Sequence, residues 1–339
     1  MLITWSLGPR TDAAAIGDAR GDRRAAGQTT ECAEGRGAAL MRGSAVTIGN
    51  FDGVHRGHQA MVARVRETAS QHDLASCVLT FEPHPRERFT PATAPTRLTS
   101  LREKLELLRA LQLDRTHVAH FSTQFAALTP EAFVERVLHQ TLNARRLLVG
   151  DDFRFGAKRA GDRSLLEALA PRYGFEVEVM STVIDAGIRI SSSAVREALS
   201  RGDMRRAQAL LGRPYSISGR VTHGAKLGRE LGFPTANVLL KHNRPPLMGI
   251  FAVRVYGIGA GAAEGAASLG FRPTVTDQNI ATLEVHVFDF AGDLYDRHLR
   301  VEFIAKLRDE EKYPDLETLR AAIARDCLNA RRVLAARST

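Results

Sequence analysis

The sequence predicts a Rossmann-like α/β domain followed by an antiparallel β-barrel that ends in a helix. Three observations carry this. Between Ala45 and Met180, short apolar runs alternate with amphipathic stretches, the grammar of βα units around a parallel sheet. After Pro214, apolar and polar residues alternate at period two, with Gly and Pro between the runs, as in an antiparallel barrel or sandwich. A chain of 339 residues suits about two domains.

Taken in order, residues 1–43 are rich in Ala, Gly, Arg and Asp and lack apolar periodicity. Such a segment buries too little to offset the entropy of ordering it. It reads as a disordered extension, and a chain starting at Met41 is expected to remain soluble and active. Strands are then expected at Ala45–Ile48, Cys77–Phe81, Val118–Phe121, Leu147–Val149 and Val177–Met180. The intervening helices carry Met61, Val62 and Val65; Leu101, Leu105, Leu107 and Leu108; Phe133, Val134 and Val137; and Leu165, Leu166 and Leu169. Two short helices follow, Ser192–Leu199 and Met204–Leu211. Barrel strands are expected at Ile217–Val221, Ile250–Tyr256, Leu283–Phe288 and Leu299–Ile304, and a last helix at Leu316–Leu334. The resulting division is 44–200, a linker at 201–214, and 215–339.

The balance of charge is +9, which favours anionic partners: nucleic acid, a membrane surface or phosphorylated small molecules. Composition does not choose among them. Cys32, Cys77 and Cys327 are widely separated, which argues against a zinc site or a disulfide framework and fits a reducing cytoplasm. No apolar stretch is long enough to span a membrane, and no signal peptide is evident.

Two segments carry chemistry. In the first, Gly49-Asn50-Phe51-Asp52-Gly53-Val54-His55-Arg56-Gly57-His58 falls where the first strand ends and the first helix begins. A parallel sheet places ligands outside the carboxyl ends of its strands, and a helix N-terminus offers unpaired N–H groups to phosphate. Glycines let the backbone approach a ligand. His55 and His58 share one face of the first turn. Their imidazoles suit either phosphate oxygens, where they stabilise charge developing on a leaving pyrophosphate, or a zinc ion, or open solvent. Neither a Walker sequence nor a GxGxxG is present.

The second segment runs from Gly219 to Asn237 and is dense in Gly, Lys and Arg. Gly224 and Gly228 carry Lys226 and Arg229 on a backbone flexible enough to wrap a polyphosphate. Thr235 and Asn237 supply neutral oxygens of the kind that complete a Mg²⁺ shell beside ATP phosphates. The alternative is a mobile surface hairpin. Glu284 lies mid-strand in an apolar alternating run, either facing solvent or directed into a site.

These residues also carry a resemblance. His55-x-Gly57-His58 resembles the HxGH motif of the nucleotidylyltransferases. With Thr80–Pro85, Gly150–Gly156 and Ile190–Arg196, in that order and spacing, the N-terminal half is similar to the bacterial bifunctional riboflavin kinase/FAD synthetase family. In the C-terminal half, Leu231–Asn237, Gly270–Thr274, Leu283–His286 and Lys306–Arg308 resemble the riboflavin kinase of the same family. The resemblance covers about residues 44–335. It implies an HxGH-type nucleotidylyltransferase domain followed by a riboflavin kinase barrel. Riboflavin would be phosphorylated to FMN in the barrel, and FMN would then be adenylylated by a second ATP with loss of pyrophosphate. ATP would lie over His55 and His58, among Gly49, Asn50, Phe51, Asp52 and Gly57. Ser192 and Arg196 would reach the triphosphate, and Asn50 and Asp52 would help bind phosphate and Mg²⁺. Asp152, Phe153 and Arg154 would line the flavin and adenylyl pocket, with Phe153 and Phe155 suited equally to a core role. Glu284 would accept the ribityl hydroxyl proton, and Arg308 would contact the flavin. Small molecules alone are the expected partners, with neither nucleic acid nor membrane, and the chain is expected to work in the cytoplasm as a monomer or weak homo-oligomer.

Three departures from the family pattern stand out: Ser268 for a common Asn, Asp296 for a frequent Gly, and Tyr313 for a usual Phe. None is expected to touch the residues assigned to chemistry. Two rivals stand beside this reading: a nucleotidylyltransferase for another phosphate substrate with an accessory barrel, and a basic nucleic-acid-binding barrel. The Pro234-Thr235-Ala236-Asn237 segment and Glu284 weigh against the first. The second lacks a stacking platform, with 15 Phe, 5 Tyr and 1 Trp not interleaved with cations.

Overall fold

The computed structural model describes residues 1–6, 43–185, 187–224, 227–241, 244–272 and 280–336. Its elements, counting α-helices of eight residues or more, run β1 (Leu2–Ser6), β2 (Ser44–Ile48), α1 (Arg56–Gln71), β3 (Ala75–Glu82), α2 (Leu101–Ala110) and β4 (Arg115–His120). Next come β5 (Ala144–Gly150), α3 (Arg163–Tyr173), β6 (Glu176–Met180), β7 (Ile184–Asp185), β8 (Ile188–Arg189), α4 (Ser192–Ser200) and α5 (Met204–Leu211). The rest is β9 (Tyr215–Thr222), β10 (Ala236–Val238), β11 (Gly249–Tyr256), β12 (Ala263–Arg272), β13 (Ile280–Val287), β14 (His298–Arg308) and α6 (Leu316–Ala335). The chain divides into two compact units. The first holds Met1–Phe51, Gly57–Pro95 and Leu105–Val183; the second holds Asp52–Arg56, Thr96–Lys104 and Ile184–Thr339.

In the first unit, six parallel strands lie in the order β1-β4-β3-β2-β5-β6. Strands covered on both faces are mostly apolar, and β2, Ser-Ala-Val-Thr-Ile, is buried along its whole length. Val46, Leu79, Leu147 and Val149 pack with Phe133, Leu138 and Leu166 in one cluster. Asp162 caps α3 by accepting from Leu165 N at 3.1 Å, and Gly174, at φ 68°, ends that helix, the usual division of labour between the two termini. The strand order reverses at β2, with β3 on one side and β5 on the other. Such a reversal is where a sheet of this kind takes its ligands, at the carboxyl ends of the strands.

The amino-terminal residues differ from expectation. Leu2–Ser6 form β1, paired in parallel with Arg115–Ala119 of β4; residues 7–42 lie outside the described residues. The run Leu-Ile-Thr-Trp-Ser is rich in residues that favour strands, a signal masked by the long Gly- and Ala-rich stretch after it. Thr4 Oγ1 lies 2.8 Å from His117 Nδ1 and accepts from Arg115 Nε at 3.1 Å. It thus serves two buried polar groups of β4.

In the second unit, six strands close a barrel in the order β10-β13-β12-β11-β14-β9, against four expected. The two missed are β10, only three residues long, and β12, whose Ala-Glu-Gly-Ala-Ala opening lacks strand-type side chains. Ile217, Phe251, Val253, Leu269, Leu283, Val285, Val301 and Phe303 are fully buried, and their register partners share one face. A six-stranded barrel is filled by such side chains, so chemistry is confined to its outside. The C-terminal helix α6 packs Ala330 and Leu334 on Ala252, Ala266 and Ile304. The expected linker, 201–214, is packed structure: Asp203 caps α5, Ala207, Leu210 and Leu211 are buried, and Gly212 ends the helix at φ 73°.

Because Thr4 satisfies buried groups, Thr4→Val is expected to lower stability by about 1–3 kcal/mol, the cost of stranding a buried polar partner. Loss of residues 1–40 is expected to cost at least as much, and both are read from urea-unfolding midpoints. Unchanged midpoints would return β1 to the role of a dispensable extension.

Candidate functional site

Three segments singled out in the sequence converge at the carboxyl ends of adjacent strands in the first unit. Gly49–Phe51 follows β2, Thr80–Pro85 ends β3, and Gly150–Phe155 follows β5. Thr80 Oγ1 donates to Asn50 O at 3.1 Å, tying two of them together. Phe51 is fully buried at φ 50°. Its ring lies 4.8 Å from that of His58 and beneath Gly49, where a Cβ would come within 3.1 Å of it. The Phe51 side chain therefore props His58 from below, and only its backbone is left to approach a ligand. Phe155 is a core residue stacked on Phe153 at 5.7 Å. Asp152 and Arg154 are exposed, and Arg154 pairs with Asp162 at 3.0 Å.

Asp52 and His55, together with Ser192 and Arg196, belong to the second unit. Asp52 is buried, and its carboxylate accepts from Leu98 N (3.1 Å), Thr99 N (3.0 Å) and Thr99 Oγ1 (3.1 Å) and pairs with Arg196. Its carbonyl accepts from Ser192 Oγ at 2.9 Å, and Arg196 Nε donates to Thr96 O at 2.6 Å. The sequence reading gave Asp52 to phosphate and Mg²⁺. Turning this carboxylate to a metal would leave the half-buried Arg196 guanidinium without its charge partner. Asp52 is thus the organiser of the loop, while Arg196 keeps three of its five N–H donors beyond these two contacts.

His55 is buried, and burial holds its pKa down at about 4; Asp52 opposes this, and Arg196, Arg213 and Arg189 reinforce it. The imidazole is neutral at pH 7, with an N–H to donate and no charge to disperse. Arg189 and Arg213 escaped the sequence reading, although Arg189 adjoins the Ile190–Arg196 motif. A further missed signal is Ser100-x-x-Glu103, a capping box at the start of α2. Ser100 N donates to Glu103 Oε2 at 2.7 Å, while Glu103 Oε1 accepts from Ser218 N of β9 at 2.6 Å.

On the barrel, register places the second set of residues in one row across neighbouring strands: Thr222, Asn237, Glu284, Ser268, Ile250 and Arg308. Leu283 and Val285 point into the core, so Glu284 between them faces outward. Thr235 Oγ1 lies 3.4 Å from Glu284 Oε2. Two glycines make room for this group. A Cβ on Gly224 would fall 2.3 Å from Asn237 Nδ2, and one on Gly228 would fall 2.5 Å from Phe233 O and 3.2 Å from Thr235 Oγ1. Pro234 O lies 2.9 Å from His286 Nδ1, which pins the same segment to β13. Arg229 is exposed, and Lys226 lies outside the described residues. Arg308 forms a two-pronged pair with Asp326 of α6 at 3.0 and 2.6 Å.

Two of the three departures set aside as remote, Ser268 and Tyr313, prove to border this row. Ser268 is the cross-strand partner of Glu284 and bonds Glu310 at 3.1 Å. The Tyr313 ring lies 5.8 Å from the Arg308 guanidinium. Asp296 adopts φ 63°, a left-handed conformation that Gly meets at no steric cost. Thr235, Asn237 and Glu284 are hard oxygen donors of the type Mg²⁺ takes. Among the described residues no group of three or more His, Cys, Asp or Glu could hold a metal ion. No helix among them is long and apolar enough to cross a membrane.

Comparison with known proteins finds matches for both halves of the chain. Residues 38–194 match the family model described as FAD synthetase, and residues 211–334 match that described as riboflavin kinase. The chain is 46% identical over 293 residues to the bifunctional riboflavin kinase/FMN adenylyltransferase of Escherichia coli K12, covering 86% of this chain and 93% of the relative. It is 49% identical over 294 residues to that of Pseudomonas fluorescens, covering 87% and 94%. A crystal structure described as a macrolide-efflux protein from Streptococcus pneumoniae aligns with TM-score 0.70 and 29% identity, over 84% of this chain and 92% of that one.

His55 and His117 are both held by burial at about 4, below the ordinary 6.5. Between those values the unfolded chain binds protons that the folded chain does not, so acid favours unfolding. The urea midpoint is expected to fall steadily as pH drops from 6.5 towards 4, and less steeply in His117→Gln. A midpoint flat across that window would contradict the burial of both rings as neutral species.

Proposed function

The chain belongs to the bifunctional riboflavin kinase/FMN adenylyltransferase family, and from that premise we propose which of its residues perform each reaction. Riboflavin takes the γ-phosphoryl group of one ATP, giving FMN and ADP; FMN then attacks the α-phosphorus of another, giving FAD and pyrophosphate.

Phosphorylation is assigned to residues 215–339, and the observation that carries the assignment is the row Asn237–Glu284–Ser268 on the outer barrel face. Phosphoryl transfer needs mainly positioning and neutralisation of charge, with one group to orient the nucleophile. Glu284 takes the proton of the ribityl hydroxyl. Arg308, held flat by Asp326, marks the flavin end of the row. Gly224, Lys226, Gly228 and Arg229 hold the phosphates. Thr235 and Asn237 would hold Mg²⁺, which when bound neutralises charge between the phosphoryl groups.

Adenylylation is assigned to residues 44–200, supported by the meeting of the β2, β3 and β5 ends. His55 and His58 donate to the oxygens that gain charge as pyrophosphate departs. Ser192 and the remaining donors of Arg196 hold the triphosphate. Asp52 acts through Arg196 and the loop rather than on metal. Asn50, Asp152 and Arg154 border the pocket for the second substrate. Free Cys77 and Cys327 fit a reducing cytoplasm, where the chain would work as a monomer or weak homo-oligomer.

Glu284→Gln is expected to lower FMN formation by roughly 10²–10⁴-fold, the range for losing acid–base help, while FAD formation from supplied FMN persists. His58→Ala is expected to lower FAD formation by roughly tenfold or more while riboflavin is still phosphorylated. Parallel loss of both activities in either folded variant would sink the assignment of separate centres. Both reactions should also stop in excess EDTA and resume with added Mg²⁺; full turnover in EDTA would remove the cation from the scheme.

A further inference from the structure

We propose that Arg213 is a positioning residue for adenylyl transfer: from the turn that enters the barrel, its guanidinium holds the backbone that presents His55. The inference rests on the assignment of His55 to that reaction.

The loop it holds is conformationally costly. Gly53 lies at φ 81° and Val54 at φ 42°. A β-branched residue with positive φ is an outlier, and such conformations persist only where surrounding contacts over-determine them. Some of those contacts come from α4 and residues 96–99. Ser192 Oγ donates to Asp52 O, and Gly53 N donates to Thr99 Oγ1 at 3.1 Å. The next two carbonyls turn to Arg213: Nη2 donates to Gly53 O at 2.7 Å, and Nη1 donates to Val54 O at 3.2 Å. A planar fork suits two successive carbonyls, where an ammonium offers a single point.

Arg213 is itself fixed. It lies between Gly212, the left-handed stop of α5, and Tyr215, the first residue of β9. Its Nη1 also donates to Leu211 O at 3.3 Å. Burial pushes its pKa down to about 10, which still leaves it charged at neutral pH. Arg213 falls within 211–334, the stretch matched as riboflavin kinase. A residue from the kinase-matching part thus shapes the loop that carries the other reaction.

Full-length Arg213→Met and Arg213→Lys test this, with folding checked by circular dichroism. For FAD formation from FMN, the Met variant is expected to lose roughly ten- to a hundredfold in kcat, the scale of a small misplacement of a catalytic group. Its KM for FMN should hold within about twofold, because the lost interaction acts on the transition state. The Lys variant should recover part of the rate, and FMN formation from riboflavin should stay near wild type in both. Wild-type kcat for FAD formation in folded Arg213→Met would overturn the proposal. So would a raised KM with kcat intact, or an equal fall in both reactions. If Arg213→Met does not fold, Arg213→Lys decides: a lowered kcat supports the proposal and an unchanged one overturns it. His55→Ala, measured alongside, separates the two claims. Its full retention of FAD formation would remove the site assignment itself, whereas its failure beside an active Arg213→Met would remove only the positioning role.

Discussion

The pair formed by buried Asp52 and half-buried Arg196 is the interaction on which the first site depends. A carboxylate taken out of water must be matched by donors, and here one set of donors comes from residues 46 and 47 positions along and another from a guanidinium 144 positions along. Folding those distant segments onto one carboxylate fixes the loop after β2, the start of α4 and the approach to α2 at once. Removing Arg196 would leave a buried carboxylate without its charge partner, a larger loss than breaking an exposed ion pair. Side chains such as His55 can then be held neutral and aimed because the charges around them are already committed.

The barrel achieves its site by parity. Six strands leave room inside only for side chains, and Leu283, Val285 and Leu269 take that room. Glu284 therefore faces out, in register with Asn237 on one side and Ser268 on the other. A slip of one residue in β13 would reverse every side chain of the strand, burying the carboxylate and exposing the core. The same apolar alternation that closes the barrel thus sets the direction of Glu284, the group proposed to take the proton. Glycines at 224 and 228 bring the segment before β10 close enough for Thr235 and Asn237 to stand beside it.

Much of this was legible in the sequence, for physical reasons that also explain the gaps. The strands β2, β3 and β5 announce themselves by their apolar runs, and α4 and α5 by their caps Ser191 and Asp203. The segments Gly49–Phe51 and Thr80–Pro85 fall at the ends of β2 and β3, where the alternation of strand and helix periods put them. Strand β1 was hidden by its neighbours in sequence, β12 by its small residues and β10 by its brevity. Partners were the least legible. Nothing local marks Leu98, Thr99 or Arg213 as supports for a loop far away in the chain, and nothing local says that Asp52 is already engaged. Ser268 and Tyr313 looked remote for the same reason: only register and the β14–α6 connection bring them beside Glu284 and Arg308.

A carboxylate beside His55 and Arg196 could serve either as a metal ligand or as the anchor of the loop, and its bonds to Leu98, Thr99 and Arg196 favour the second. The direct measurement is the Mg²⁺ dependence of FAD formation in folded Asp52→Asn. If Asp52 acts by holding Arg196 and the loop, kcat falls while the Mg²⁺ concentration giving half-maximal rate stays within about twofold of wild type. A midpoint raised by roughly tenfold or more, with kcat recovered at saturating Mg²⁺, would place the carboxylate on the metal and contradict the account.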